Sequence, residues 1–213
     1  MANEITRLLP FRQYDENDVI NFYSLDTETG EAGSVVKVSS ANLTTDPVKY
    51  VQRGDADSYQ TTLGNGLSMY PEVPYKVTKM SATGGNEKAL GILLRDVRNK
   101  DENGENLLYY PQKKEELQCV VSGEAVPIAT KGIFTLNARG LADGVKHSVV
   151  PTVNQFAFPS VNGTVTGVTS TTANHHWHHS QKIGRFIGTG LRESQGGTTD
   201  AFAGCYAILK LEC

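Results

Sequence analysis

The chain has few of the features that would mark a secreted or membrane-spanning protein. Its 213 residues contain three cysteines, an odd number without CxxC spacing, and we expect these to be reduced thiols. No apolar run approaches the roughly 20 residues that a membrane helix needs. The N-terminus also lacks the basic-then-apolar pattern of a signal peptide. These absences predict a protein that is made and assembled in a cytoplasm.

An excess of charge of one sign is lacking as well. The 20 basic and 23 acidic residues leave a formal net charge of -3, which gives no electrostatic footprint for nucleic acid or for an anionic membrane. Hydrophobic residues make up 38% and charged residues 20%, so the composition is not that of a disordered chain. We therefore expect a folded domain whose partners include neither nucleic acid nor a membrane.

Helical periodicity is scarce, and its best candidate is YPQKKEELQ, where Pro111 would stand in the first turn. Short strand-like segments are plentiful instead, among them GSVVKVSS, VPYKVTKMSA, KALGILLRDV, LLYYP, ELQCVVSG, AVPIAT, KGIFTLN, KIGRFIGTGLRES and AGCYAILKLEC. The last two predict an antiparallel hairpin or two neighbours in a sheet, and KALGILLRDV fits a strand buried on both faces. The pattern predicts a mainly β protein: a compact β-sandwich or barrel-like domain with long loops, an extended N-terminal arm and little helix.

The chain divides into an N-terminal arm, residues 1–33, and a single β-rich domain, residues 34–213. A Thr/Ser/His-rich elaboration occupies about 140–181. The arm is rich in large apolar residues, which must be buried somewhere. One interpretation is a strand or two tied to the core of the same subunit, and the other is an arm that docks on a neighbouring subunit. The predicted contact residues are Leu8, Leu9, Phe11, Tyr14, Phe22, Tyr23 and Trp177.

Four of the five histidines flank the only tryptophan in NHHWHHS: His175, His176, His178 and His179. Imidazoles two residues apart on a strand can chelate zinc, nickel or copper, but a catalytic zinc site adds a third protein ligand. The sequence contains no HExxH motif and no cysteine pair to supply one. These four residues are therefore weak metal candidates, and we expect a surface or subunit contact centred on Trp177, without a cofactor.

Two glycine-containing motifs favour structural interpretations over functional ones. DENGEN, starting at Asp101, lacks the spacing and the closing Glu of a calcium loop, and Asn103-Gly104 predicts a turn. GRFIGTG lacks the order and context of a dinucleotide fingerprint, so its glycines predict bulges and close approach between strands. No nucleophile elbow, P-loop or paired-carboxylate motif occurs in the sequence, and we expect a protein that is not an enzyme.

Two segments resemble bacteriophage head decoration proteins, also called capsid cement proteins. They cover about 85–137, KALGILLRDV to KGIFTLN, and about 182–211, KIGRFIGTG to AGCYAILKLE. The first similarity lies in Gly123, Glu124, Val126, Pro127 and Ile128, followed by Lys131, Gly132, Ile133 and Phe134. The second lies in Ile183, Gly184, Arg185 and Phe186, and then in Tyr206, Ile208 and Leu209. The N-terminal RLLPFRQYDENDVINFYSL is also similar to proteins of tailed cyanophages, whereas 140–181 departs from the small members of the family.

The resemblance implies a non-enzymatic virion protein on the outer surface of the mature phage head. Its partners would be the major capsid protein and two further copies of itself in a homotrimer, with the arm locking onto a neighbour. Bound knobs of this kind stabilise the expanded capsid by clamping adjacent capsid subunits. Two alternatives remain open: a head-fibre or tail adhesin that binds a host-surface glycan, and a metal-dependent enzyme that uses the histidine cluster.

Overall fold

The computed structural model describes residues 7–26, 29–40, 75–81, 87–142, 151–168, 181–193 and 204–213. The structure is mainly β, as predicted. Its strands are β1 (Leu8–Gln13), β2 (Val19–Leu25), β3 (Val35–Ser40), β4 (Lys76–Lys79), β5 (Gly91–Leu93), β6 (Asp96–Val97), β7 (Cys119–Val120), β8 (Val126–Ala129), β9 (Lys131–Asn137), β10 (Phe156–Pro159), β11 (Val165–Val168), β12 (Gly184–Arg192) and β13 (Gly204–Glu212).

One half of the fold is a six-stranded antiparallel sheet in the order β1-β9-β13-β12-β10-β11. Burial alternates along β13, where Ala207, Leu209 and Leu211 are buried and the residues between them are partly exposed. This period of two is the reason that the segment forms a strand with one face on the core. The predicted antiparallel pairing of β12 with β13 is confirmed, and β10 and β11 place part of the 140–181 segment within this sheet.

The other half is a closed barrel of five strands, β2-β4-β3-β5-β8, in which the β2–β4 pair is parallel. All three residues of β5 are buried, which confirms the prediction for KALGILLRDV. One core cluster joins the barrel strands to β6 and β7 and contains Leu25, Val36, Val77, Leu93, Val97, Val120, Val126 and Ile128. A larger core, with Phe134, Phe186 and Leu209 from the sheet and Val35, Met80 and Ile92 from the barrel side, packs the two halves together.

A two-stranded antiparallel ribbon runs through both halves. β1 pairs with β9 in the sheet, and β2 pairs with β8 in the barrel. Both strands of the ribbon turn at the same corner. There Thr130 donates its N–H to the carbonyl of Asp18, at 2.9 Å, and Asp15 caps a 3-10 turn at Glu16–Asp18. At this corner Gly132 adopts a φ of +137°, a conformation that L side chains rarely adopt.

The ribbon bears on the two interpretations of the N-terminal segment. Residues 8–13 and 19–25 pair with strands of the same chain, which is the arrangement of the first interpretation. Arg7 fixes the start of β1, because it pairs with Glu31 and donates hydrogen bonds to Ser34 Oγ at 3.1 Å and to the carbonyl of Asn162 at 3.0 Å. Any contact that this segment makes with a neighbour is therefore made while both of its strands are paired within their own chain.

Among the strands predicted within the described residues, LLYYP is the exception. YPQKKEELQ contains helix α1 (Pro111–Glu116), with proline in the first turn as predicted. LLYYP was predicted to be a strand, and this was wrong: Leu107–Tyr109 is a 3-10 helix, because Asn106 caps it by accepting a hydrogen bond from the N–H of Leu108. The predicted bulge among the β12 glycines is confirmed by a register shift between Phe186 and Gly188. Within the described ranges, no helix is long and apolar enough to cross a membrane.

Candidate functional site

The edge strand β1 presents one aromatic side chain almost completely to solvent. Leu8 pairs with Leu136 and Arg12 pairs with Phe134. Between these two pairs β1 contains two more residues than β9, which makes this part of β1 a bulge. Phe11 lies within the bulge and is 82% exposed, whereas Leu8 at its start is 6% exposed. Bulges redirect side chains. The bulge therefore keeps the side chain of Phe11 out of the core, while the pairs on either side of it hold β1 against β9.

The same edge is poorly suited to pairing with a strand from another chain. Pro10 has no N–H to donate, and a bulge disrupts the regular spacing of hydrogen-bonding groups. Proteins use both devices to prevent edge-to-edge association of sheets. A partner that approaches β1 would therefore be recognised by the side chains of Pro10, Phe11 and Arg12, and not by an extension of the sheet.

Two open clefts adjoin β1 and share Arg12 in their walls. One has a volume of about 760 Å³ and is lined by Arg12, Tyr14, Val19, Leu94, Arg95, Gln118 and others. The second, of about 500 Å³, includes Leu9, Pro10 and Leu117. Arg12 Nη1 lies 3.5 Å from the carbonyl oxygen of Leu94, and no carboxylate among the described residues pairs with Arg12. Arg95 in contrast pairs with Glu115, at 3.3 Å. Arg12 thus offers a positive charge to both clefts.

The other predicted contact residues fall in different environments. Leu8 lies in the core, Leu9 lines the smaller cleft, and Tyr14 stacks on Phe134 with their ring centroids 5.8 Å apart. Phe22 is 44% exposed and Tyr23 is half-buried, and their rings meet edge to face. The structure therefore brings Leu9 and Tyr14 to the clefts, whereas Phe11 lines neither of these two.

Phe22 belongs to a separate aromatic cluster with Tyr75, a partner that was not predicted from the sequence. The rings of Phe22 and Tyr75 stack with centroids 4.8 Å apart. Alternation along VPYKV places Tyr75 on the same face as Val77, but its contact with Phe22 depends on the parallel pairing of β2 with β4. Residues in these two strands are separated by about 50 positions, so no local pattern could have indicated their contact.

Trp177 and the four histidines, His175, His176, His178 and His179, lie outside the described residues. Their predicted role stays a prediction. Among the residues that the structure does describe, no group of three or more His, Cys, Asp or Glu side chains is positioned to hold a metal ion.

The carboxylate of Asp101 is buried beneath a turn whose other residues, 102–105, are exposed. Its Oδ1 accepts hydrogen bonds from the N–H groups of Asn103 and Glu105, both at 2.8 Å, and Lys113 Nζ donates to its Oδ2. The hydrogen bond from Lys113 holds the pKa of Asp101 below its ordinary value of 3.8, and Asp101 raises the pKa of Lys113. The prediction of a turn in DENGEN is confirmed, and the ammonium group of Lys113 is the cation that balances this carboxylate.

Asp101→Asn is expected to lower the free energy of unfolding at neutral pH and to make that free energy less dependent on pH in the acid range. Because the pKa of Asp101 is lower in the folded chain, its stabilisation is present above the unfolded value of 3.8 and is lost as the pH falls through the folded value. The difference in unfolding free energy between the native protein and the variant should therefore shrink between about pH 5 and pH 2. Urea titrations at several pH values measure it, with Glu102→Gln in the same turn as control. A difference that stays constant with pH would contradict the assignment.

The three cysteines are free thiols that are buried or partly buried. Cys119, Cys205 and Cys213 form no disulfide. Burial raises the pKa of Cys213 to about 12 and also raises the pKa of Cys119. Nucleophilic cysteines need a lowered pKa because the thiolate is the reactive form, so these two thiols stay protonated and unreactive at neutral pH.

Comparison with known proteins identifies no relative of this chain. A scan of protein-family models, a search of curated proteins and a search of solved structures each found no match.

Proposed function

We propose that the chain is a bacteriophage capsid decoration protein, which binds the exterior of the mature head and stabilises the expanded shell. The observation that supports a binding role most directly is Phe11, which is 82% exposed on a bulged edge strand. Interfaces are dominated by a few anchors, many of them aromatic, so Phe11 is suited to the centre of a contact. The partner is the major capsid protein, and the decoration unit is a homotrimer.

The resemblance to decoration proteins supplies the identity of the partner. Its two segments are adjacent in the structure, since they contain β8 and β9 on one side and β12 and β13 on the other. Strands β9 and β13 pair along seven residue positions, from Tyr206 opposite Asn137 to Glu212 opposite Lys131. The resemblance thus covers the centre of the fold, and the exposed features of β1 lie on the strand next to it.

The proposed mechanism is stabilisation by linkage. A protein that binds the expanded lattice and not its precursor lowers the free energy of the expanded form in proportion to the occupied sites. A trimer engages several capsid subunits at once, so individually weak contacts add to a strong attachment. A rigid β scaffold suits this role because it loses little conformational entropy when it binds.

Co-sedimentation with heads tests the proposal. Purified protein is mixed with expanded, undecorated heads and, separately, with unexpanded precursors, and both are pelleted. Saturable binding to the expanded heads alone is the expected result, with a fixed ratio to the capsid protein. Absence of binding to either form would reject the proposal and lead to glycan arrays, for an adhesin, and to chelator and His175→Ala/His179→Ala assays, for a metal-dependent enzyme.

A further inference from the structure

The outer face of the six-stranded sheet concentrates positive charge at one end. Arg185 of β12 lies opposite Lys210 of β13, and Lys131 of β9 lies opposite Glu212 of β13. Residues that pair across strands, or that are two apart along a strand, share a face of a sheet. Lys131, Arg185, Lys210 and Glu212 therefore lie on one face, whereas Phe134, Phe186, Leu209 and Leu211 point from the opposite face into the core.

A fourth cation joins this group. Lys182 Nζ lies 4.0 Å from the centroid of the Phe156 ring, and Phe156 pairs with Arg185 on the same face. We name the group of Lys131, Lys182, Arg185, Lys210 and Glu212 the cationic face. Its formal charge is +3 in a chain whose total is -3. Within the described ranges its single ion pair joins Lys210 to Glu212, at 2.6 Å.

We propose that the cationic face docks a carboxylate-rich protein surface. The concentration of charge supplies complementarity to aspartate and glutamate side chains, which steers association and fixes the orientation of the partner. Ile133 lies opposite Lys210, so an apolar side chain stands in the same row as Lys210, Arg185 and Phe156. That mixture of aliphatic, aromatic and basic groups is the composition of a protein interface.

Glu212 distinguishes a protein partner from a phosphate-rich one. Its side chain is 52% exposed among the four cations, and the neighbouring Lys210 lowers its pKa, so it is ionised at neutral pH. A nucleic acid or an anionic membrane presents acceptors and negative charge, both of which Glu212 repels. A protein surface can place a lysine, an arginine or a backbone N–H against it.

The cationic face is continuous with β1. Gln13, two residues after Phe11, pairs with Ile133, and the row therefore extends from β1 through β9 and β13 to β12. A partner that contacts both regions would meet Phe11 as an apolar anchor and the cationic face as the source of orientation. Assigning the natural partner to the phage head rests on the proposed function, whereas assigning the face to carboxylate-rich proteins does not.

The test compares poly-L-glutamate with a DNA duplex and with phosphatidylglycerol vesicles, at equal and low ionic strength. We expect poly-L-glutamate, whose backbone N–H groups can donate to Glu212, to bind the protein more tightly than either phosphate probe. The triple variant Lys131→Gln/Arg185→Gln/Lys210→Gln should weaken its binding by about tenfold, and Glu212→Gln should strengthen it. The matched control is Lys76→Gln/Lys79→Gln/Lys100→Gln, which changes the net charge equally outside the cationic face and should leave the affinity unchanged. Urea unfolding of each variant verifies that it folds.

Three results would overturn the inference: equal losses in the two triple variants, no binding of poly-L-glutamate by the native protein, or tighter binding of DNA or vesicles. The same variants mixed with expanded heads separate this inference from the proposed function. If the native protein binds heads and the cationic-face variant binds them equally well, the face is not the docking surface and the capsid role stands. If no variant binds heads, the capsid role fails and the poly-L-glutamate comparison still decides the chemistry of the face.

Discussion

Phe11→Ala is expected to weaken binding to expanded heads by about a hundredfold, because a single aromatic side chain that becomes buried in the complex often dominates an interface. Phe11 contributes little to the core, since it is 82% exposed. The unfolding free energy should therefore change by less than about 0.5 kcal/mol, as for most surface substitutions. Quantitative co-sedimentation over a range of protein concentrations measures the affinity, and urea titration measures the stability.

Tyr109→Ala is the matched control for this prediction. Tyr109 is also aromatic and is 62% exposed, but it lies in the 3-10 helix that precedes α1 and lines neither of the two clefts. Heads should bind this variant as tightly as the native protein. If both substitutions weaken binding equally, loss of exposed aromatic surface in general would explain the result, and Phe11 would have no special role. If neither does, β1 is not in the contact.

Arg12 provides a second probe of the same contact. Its guanidinium group lines both clefts and has no carboxylate partner among the described residues, so a partner carboxylate would gain a charge-assisted hydrogen bond. Arg12 pairs with Phe134, which points into the core, so the side chain of Arg12 lies on the cleft side of β1. Its substitution therefore tests whether the contact also reaches the clefts, independently of Phe11.

The sequence was sufficient to predict the elements of the fold but not their assembly. Alternation along AGCYAILKLEC and the buried run KALGILLRDV follow from a periodicity that any strand must show, so β13 and β5 could be recognised. The closure of β2, β4, β3, β5 and β8 into a barrel depends on pairings such as Ser24 with Lys76, which no local pattern encodes. The 3-10 helix at Leu107–Tyr109 was missed because a short apolar run has no distinctive period.

For the candidate contact residues too, local sequence patterns predict one part of the result and strand pairing determines the rest. The apolar character of the N-terminal segment predicted that it would be buried or would form a contact, and Phe11 does stand exposed. The sequence could not separate Phe11 from Leu8, because the bulge that places one in solvent and the other in the core depends on pairing with β9. The cationic face was also invisible to charge counting. Its members are separated by up to about 80 positions and come together only because β9, β13 and β12 are neighbours.

The corner at Gly132 is where the sheet and the barrel are joined, and Gly132→Ala is expected to destabilise the protein by on the order of 3 kcal/mol. The φ of +137° is strained for any L residue, and a Cβ would lie 2.7 Å from the Gln13 carbonyl oxygen and 2.8 Å from Tyr14 Cβ. Relief would require a shift of β1 relative to β9. Because β1 bears Phe11 and β9 bears Lys131, such a shift would disturb both proposed contacts. Urea titration measures the loss of stability.

Gly104→Ala separates strain from steric conflict at that corner. Gly104 has a φ of +85°, but no atom lies within 4 Å of the position that a Cβ would occupy. Its substitution should therefore cost only the conformational penalty, about 1 kcal/mol. A loss at Gly132 well above that at Gly104 would establish that the close approach of β1 to β9 determines the effect. Equal losses would mean that the corner adjusts freely and that the ribbon does not fix the orientation of β1, which would remove the structural reason for a rigidly held Phe11.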